Sequence, residues 1–128
     1  MEYQSRYLDA DVLMERISEM GSLGLKSIMF AGEGEPFLHK RMVEIINHTR
    51  KSGIDVAMTT NAVLLNETRA NAILGDMEWI KVSINAGTSG TYSAVHRTKE
   101  ADFNTVIANL SNAARIRQDN GYKCTLGM

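Results

Sequence analysis

A single cysteine, Cys124, excludes an internal disulfide and agrees with a reducing compartment. It also leaves no metal-binding spacing of His and Cys anywhere in the chain, where the histidines are His39, His48 and His96. No metal site is therefore expected. An excess of basic charge is missing too: 14 Lys and Arg against 15 Asp and Glu give a net charge of -1, with no electrostatic footprint for nucleic acid. No window approaches the roughly 18 apolar residues of a membrane span, and the opening MEYQSRYLDAD has neither the basic region nor the apolar stretch of a signal peptide. The expectation is a cytoplasmic protein without membrane or nucleic-acid partners. One proline leaves no candidate linker, and no repeat or low-complexity segment occurs. With 44% hydrophobic and 23% charged residues the chain is ordinary and globular, and its 128 residues predict one domain, too short for the roughly 250 residues of a complete eight-unit barrel.

What is present is a rhythm. Leu8, Val12, Leu13, Ile17 and Met20 share a helical face, with Asp9 or Asp11 to cap it and Gly21 or Gly24 to end it. A buried strand follows at 26–31, then a helix carrying Met42, Val43, Ile45, Ile46 and Thr49 that closes at Gly53. IDVAMT is the next strand, Asn66 caps a helix burying Ala70, Ile73 and Leu74, and WIKVSI makes a third strand. The last helix is expected to bury Phe103, Val106, Ile107, Leu110, Ala114 and Arg117, capped by Asp102 and stopped by Gly121 before the strand YKCTLGM. Such alternation with short connections predicts an α/β fold: a four-stranded parallel sheet with flanking helices and two exposed edges.

Three strands end in small polar residues, which suggests one rim of polar groups at their carboxyl ends, where α/β proteins build sites. After the strand at 26–31, the turn Gly32-Glu33-Gly34-Glu35-Pro36 has glycines for unusual backbone angles and a proline that holds Glu35 extended. Glu33 and Glu35 could act as acid and base or bind a metal, although acidic strand-end loops are more often solvated surface. Thr60, Asn61, Ser83 and Asn85 suit hydrogen bonds to a ribose or carboxylate, and equally suit helix capping and turn formation. His96 and Arg97 are read at the start of the fourth helical region, where they could touch an anionic group or simply be solvated. Cys124 reads as a small buried hydrophobe within its strand.

MFAGEGEPFLH, DVAMTTNAVLL, WIKVSINAG and HRTKEADFNTVIANL, in this order, resemble the middle of a radical S-adenosylmethionine (SAM) enzyme core, over nearly the whole chain. That resemblance implies a partial (β/α) TIM-like barrel in which residues 1–128 supply strands two to five. It implies a [4Fe-4S] cluster on a CxxxCxxC loop that this sequence does not contain, so the 128 residues are expected to lack the cluster ligands. GEGEP is similar to the family's second-strand turn, which implies that Gly32, Gly34 and Glu35 hold the methionyl amino group of SAM. It further implies that Ser83 and Asn85 contact SAM's ribose or carboxylate, while Thr60, Asn61 and His96 lie on the substrate side. Ala62 departs from the glycine usual after the asparagine.

The expectation is therefore a fragment or truncated form of a radical SAM enzyme, whose parent would cleave SAM reductively to a 5'-deoxyadenosyl radical for hydrogen abstraction. Alone, the chain is expected to be inactive and to bind neither cofactor, because a cluster needs several thiolates. The alternative is a noncatalytic α/β module binding a small ligand or a partner through an exposed sheet edge. An aldolase-like or isomerase-like barrel fragment using Glu35 or His96 rests on fold analogy alone. Unpaired edges, with Met29, Met58 and Val82 facing inward, further predict a homo-oligomer.

Overall fold

Asp9 begins the ordered rhythm, because its carboxylate accepts from the amides of Asp11 and Val12, both at 3.0 Å, and so caps the first helix. The computed structural model describes residues 7–32 and 34–128. In chain order these form α1 (Ala10–Ser22), β1 (Ser27–Phe30), a 3₁₀ turn (Pro36–Leu38), α2 (Met42–Lys51), β2 (Asp55–Thr60) and α3 (Glu67–Ile73). Next come β3 (Met77–Val82), α4 (Ser89–His96), α5 (Glu100–Asp119) and β4 (Thr125–Gly127). The strands lie in the order β1-β2-β3-β4, and every pair is parallel. This is the four-stranded sheet expected, a partial barrel with β1 and β4 each paired on one side only among the described residues.

Strand side chains alternate between faces, and the helices cover only one of them. Val56, Met58 and Thr60 of β2 and Ile80 and Val82 of β3 are buried on the helical side. Large aliphatic side chains such as these contribute about 1.5–3 kcal/mol each when fully buried. On the opposite face Met29 is 56% exposed and Trp79 36%, with Lys81 and Thr125 also exposed. Met58 and Val82 are thus not inward-facing residues of a barrel interior, as the sequence led us to expect; of the three named, only Met29 lies on the open face. β3 carries one extra residue, Glu78, because Val56 is opposite Met77 while Ala57 is opposite Trp79. Arg50 reaches both carboxylates beside this bulge, Asp55 at 2.5 Å and Glu78 at 3.2 Å.

Helix faces depart from the expected ones in α5 and α1. α5 buries Val106, Asn109, Ala113 and Ile116, whereas Ile107, Ala114 and Arg117 are exposed. α1 buries Ala10 and Ile17 and leaves Leu8 and Val12 out in solvent. The region before α5 forms an additional helix, so His96 and Arg97 end α4 instead of opening the last helix, and Arg97 has the left-handed φ of 52° that terminates it. α5 itself begins at Glu100 after Lys99, which offers no side-chain cap, and Asp102 accepts from the Thr98 hydroxyl.

Gly21 does not end α1 but lies inside it, against the loop after α2. A Cβ built there would sit 2.4 Å from the Ser52 carbonyl oxygen. Nearby, His48 Nε2 lies 2.9 Å from the Met14 carbonyl and 2.8 Å from the Ser18 hydroxyl, tying the same two helices. Gly21→Ala should gain up to about 1 kcal/mol of helix propensity and lose about 1–3 kcal/mol to overpacking. The expected net outcome is a destabilisation of about 1–2 kcal/mol with unchanged slope in a urea titration.

Candidate functional site

Glu35 leaves the end of β1 in an extended conformation and precedes Pro36, which starts the 3₁₀ turn without needing an amide donor. One carboxylate oxygen, Oε1, accepts from the Phe37 amide at 3.1 Å and from the Thr60 hydroxyl at 2.7 Å. The other, Oε2, accepts from the Asn61 amide at 2.7 Å. Three neutral donors therefore hold one carboxylate across the carboxyl ends of β1 and β2. A carboxylate has about four lone-pair positions, so one on Oε2 is left for a further donor.

The segment after β2 is shaped to meet it. Thr60 donates to Glu35 and accepts from the Ala62 amide at 3.0 Å, while the Asn61 side chain accepts from the Val63 amide at 3.0 Å. Ala62 takes the left-handed φ of 59° that glycine adopts more readily, and it is fully buried. Alanine thus keeps the turn geometry that glycine would favour, at a strain of about 1–2 kcal/mol. From α5, the buried Asn109 side chain donates to the carbonyls of Ala62 at 2.8 Å and Val63 at 3.0 Å. Asn109 was not among the residues singled out in the sequence. Its one visible signal was a polar side chain in the apolar register of a helix.

These elements border a cleft of about 270 Å³ lined by Ala31, Gly32, Gly34, Glu35, Thr59, Thr60, Asn61 and Ser83. Gly32 has φ 144°, a conformation L side chains rarely adopt. Ser83 donates its amide to the Thr60 carbonyl at 2.9 Å and lines the cleft. Of the residues expected at the site, Gly32, Gly34, Glu35, Thr60, Asn61 and Ser83 are brought together here. Asn85 is not: it has a left-handed φ of 48° and borders a neighbouring, more apolar cleft of about 410 Å³ with Ile84, Phe103, Ile107 and Met128. That kink ends the alternation that would have put Ser83 and Asn85 on one side. His96 also stands apart, with Nε2 2.9 Å from the Ile84 carbonyl and its ring 4.4 Å from that of Tyr92. Glu33 lies outside the described residues.

The donors fit the two cofactors differently. The cleft offers an acceptor position on Glu35 and hydroxyls on Thr59 and Ser83, which suit an ammonium and other polar groups of a small ligand. A [4Fe-4S] cluster does not fit these residues. Cys124 is the one cysteine, 1% exposed, and it lies just before β4, at the opposite end of the sheet from the cleft. Among the described residues no three His, Cys, Asp or Glu side chains gather around a metal position. Burial pushes the Cys124 thiol from 9 up to about 11, so at neutral pH it is not the thiolate that binds iron. Because the folded value is raised, the protonated thiol favours folding fully below about pH 9, and that contribution is lost as pH climbs toward about 11. Stability should fall by about 2–3 kcal/mol across that window, at about 1.4 kcal/mol per pH unit, and Cys124→Ala should flatten this part of a stability profile from urea titrations.

Comparison with known proteins agrees with this arrangement of strands and turns. The sequence profile of the Radical SAM superfamily matches residues 1–128. A "Probable GTP 3',8-cyclase" of Metallosphaera sedula is 33% identical over 101 residues, covering 78% of this chain and 30% of that protein. The "GTP 3',8-cyclase" of Clostridium botulinum is 29% identical over 96 residues, 73% of this chain and 29% of its own length. A protein named "GTPase Obg" from Brachyspira hyodysenteriae is 27% identical over 118 residues, 88% of this chain and 17% of that protein. The chain thus spans less than a third of the length of the curated relatives it matches. With a parallel strand-helix sheet, its turn after β1 and a profile match from end to end, this chain belongs to the radical SAM superfamily.

Proposed function

We propose that this chain is the central portion of a radical SAM core, supplying strands two to five and the wall on which SAM rests. The observation that carries this reading is the cleft at the carboxyl edge, where Gly32, Gly34, Glu35 and Ser83 converge. The free acceptor position on Glu35 Oε2 takes the methionyl ammonium of SAM, helped by backbone carbonyls of the glycine turn. Ser83, with Asn85 beyond it, reaches SAM's ribose or carboxylate, and Thr60 and Asn61 border the substrate side. His96, bonded to Ile84, takes part only if that bond yields to substrate. Family membership implies SAM and a [4Fe-4S] cluster in the parent, where a bound cluster would supply the electron for reductive cleavage of SAM. The cluster thiolates then come from outside these 128 residues. On this reading the protein works in the reducing cytoplasm, where such thiolates persist; among the described residues no helix is long and apolar enough to cross a membrane.

The experiment reads the coding sequence in frame upstream of Met1 for CxxxCxxC and assays the polypeptide carrying both parts anaerobically for 5'-deoxyadenosine. The expected outcome is 5'-deoxyadenosine formation, with Ser83→Ala weakening SAM binding by about tenfold, the loss of one hydrogen bond of about 1.4 kcal/mol. The 128-residue chain alone should form no stable cluster and bind SAM more weakly than about 1 μM, since about 1 kcal/mol per remaining hydrogen bond falls short of the roughly -8 kcal/mol required. Stoichiometric iron retained by this chain on gel filtration would falsify the reading, as would a cysteine-bearing polypeptide that makes no 5'-deoxyadenosine.

The same reading extends to association. β1 and β4 each have one unpaired edge, and Met29 and Trp79 stand exposed on the open face. Edge groups of this kind recruit other strands, so the isolated chain pairs with a second copy. Light scattering should give a mass above that of the monomer, rising with concentration; a monodisperse monomer with concentration-independent unfolding sinks the pairing.

A further inference from the structure

We propose that Asn109 is a positioning residue for the Glu35 carboxylate, acting from α5 through the left-handed turn at Ala62. Its use in holding a ligand rests on the SAM reading above, but its geometry does not. Asn109 is 9% exposed and is the polar member of an otherwise apolar buried face formed by Val106, Ala113 and Ile116. Both hydrogen bonds it donates go to backbone carbonyls of one turn, Ala62 and Val63, neither of which is in a helix or strand. The amides of the same two residues are held from the other side, by Thr60 and Asn61. The turn is therefore fastened at its donors and at its acceptors.

That fastening matters because Ala62 has a backbone conformation its side chain disfavours. Released from Asn109, the turn gains by relaxing toward ordinary backbone angles, and rotation there redirects the neighbouring peptides. The first casualty is the Asn61 amide aimed at Glu35 Oε2. The second is the Thr60 hydroxyl, which spans Ala62 and Glu35 and cannot follow both. Glu35 would then keep only the Phe37 amide, its local contact, and its remaining acceptor position would lose its direction. An Asn109 that merely anchored α5 would have no such selective consequence.

Backbone amide exchange followed by NMR separates these roles without any SAM present. The variants are Asn109→Leu, which keeps the number and branching of the side-chain heavy atoms and removes the donors, and the smaller Asn109→Ser, which stays informative if the bulkier leucine prevents folding. Ala113→Gly, one turn farther along α5, weakens the same helix without touching the turn. In either Asn109 variant the Asn61 amide should exchange about tenfold faster than wild type after normalisation to Ile80 in the central strand, the equivalent of about 1.4 kcal/mol. Ala113→Gly should leave that ratio unchanged. A ratio unaltered in the Asn109 variants, or raised equally by Ala113→Gly, overturns the positioning role. Since the readout needs no ligand, that result and a failure of SAM binding are separate outcomes.

Discussion

One carboxylate, that of Glu35, fastens the turn after β1 to the end of β2, the strand paired beside it. Its oxygens gather the amide that starts the 3₁₀ turn, the hydroxyl at the end of β2 and the amide of the residue that follows. Hydrogen bonds to a charged acceptor are worth about 1.5–3 kcal/mol each, more than a neutral pair, and a buried donor left alone costs about as much. The rim is therefore as rigid as this one side chain makes it. The same group has an acceptor position left over, so structural duty and ligand binding do not compete for it.

Behind the rim the architecture is asymmetric. Helices press on one face of the sheet and bury Met58, Ile80 and Val82, while Met29, Trp79 and Lys81 look out from the other. An all-parallel sheet is ordinarily covered on both faces. Here the second face, the open side of a partial barrel, has no such cover among the described residues. The cleft opens beside this face, at the ends of the strands, so a molecule seated there would lie between the rim and the uncovered side chains.

Much of the fold was legible because it depends on local signals. Asp9 and Asn66 cap helices as their side chains allow, Gly53 ends the second helical segment with a left-handed φ, and strict alternation of apolar strands with helices permits little but a parallel sheet. Legibility failed where a polar group is satisfied at long range. Asn109 is drawn inside by two carbonyls 46 and 47 residues away, which turns the buried face of α5 away from Ile107 and Arg117. The hydrogen bonds that hold Glu35 were not legible because two of its partners, Thr60 and Asn61, are separated from it by a whole helix. The resemblance implied roles for Asn85 and His96 beside SAM and substrate; in the structure Asn85 has a left-handed φ and borders the neighbouring cleft, and His96 is bonded to the Ile84 carbonyl. Met58 and Val82 were misplaced because strand periodicity gives two faces without saying which one the helices take.

The order of strands in the sheet is the order of strands in the sequence. No pairing skips an intervening strand, so each closes a loop containing little more than the helices between two neighbours, and the entropy of closure stays modest. In such a topology each strand pairs with the one made before it. The sheet can form stepwise as residues emerge from the ribosome, each new strand docking on the one made before it, with β1 and β2 already paired while β4 is unsynthesised. The Glu35 bonds to Thr60 and Asn61 belong to that first pair. On such a route the rim of the cleft would be outlined when β1 meets β2 and fastened only later, when α5 brings Asn109 to the turn at Ala62.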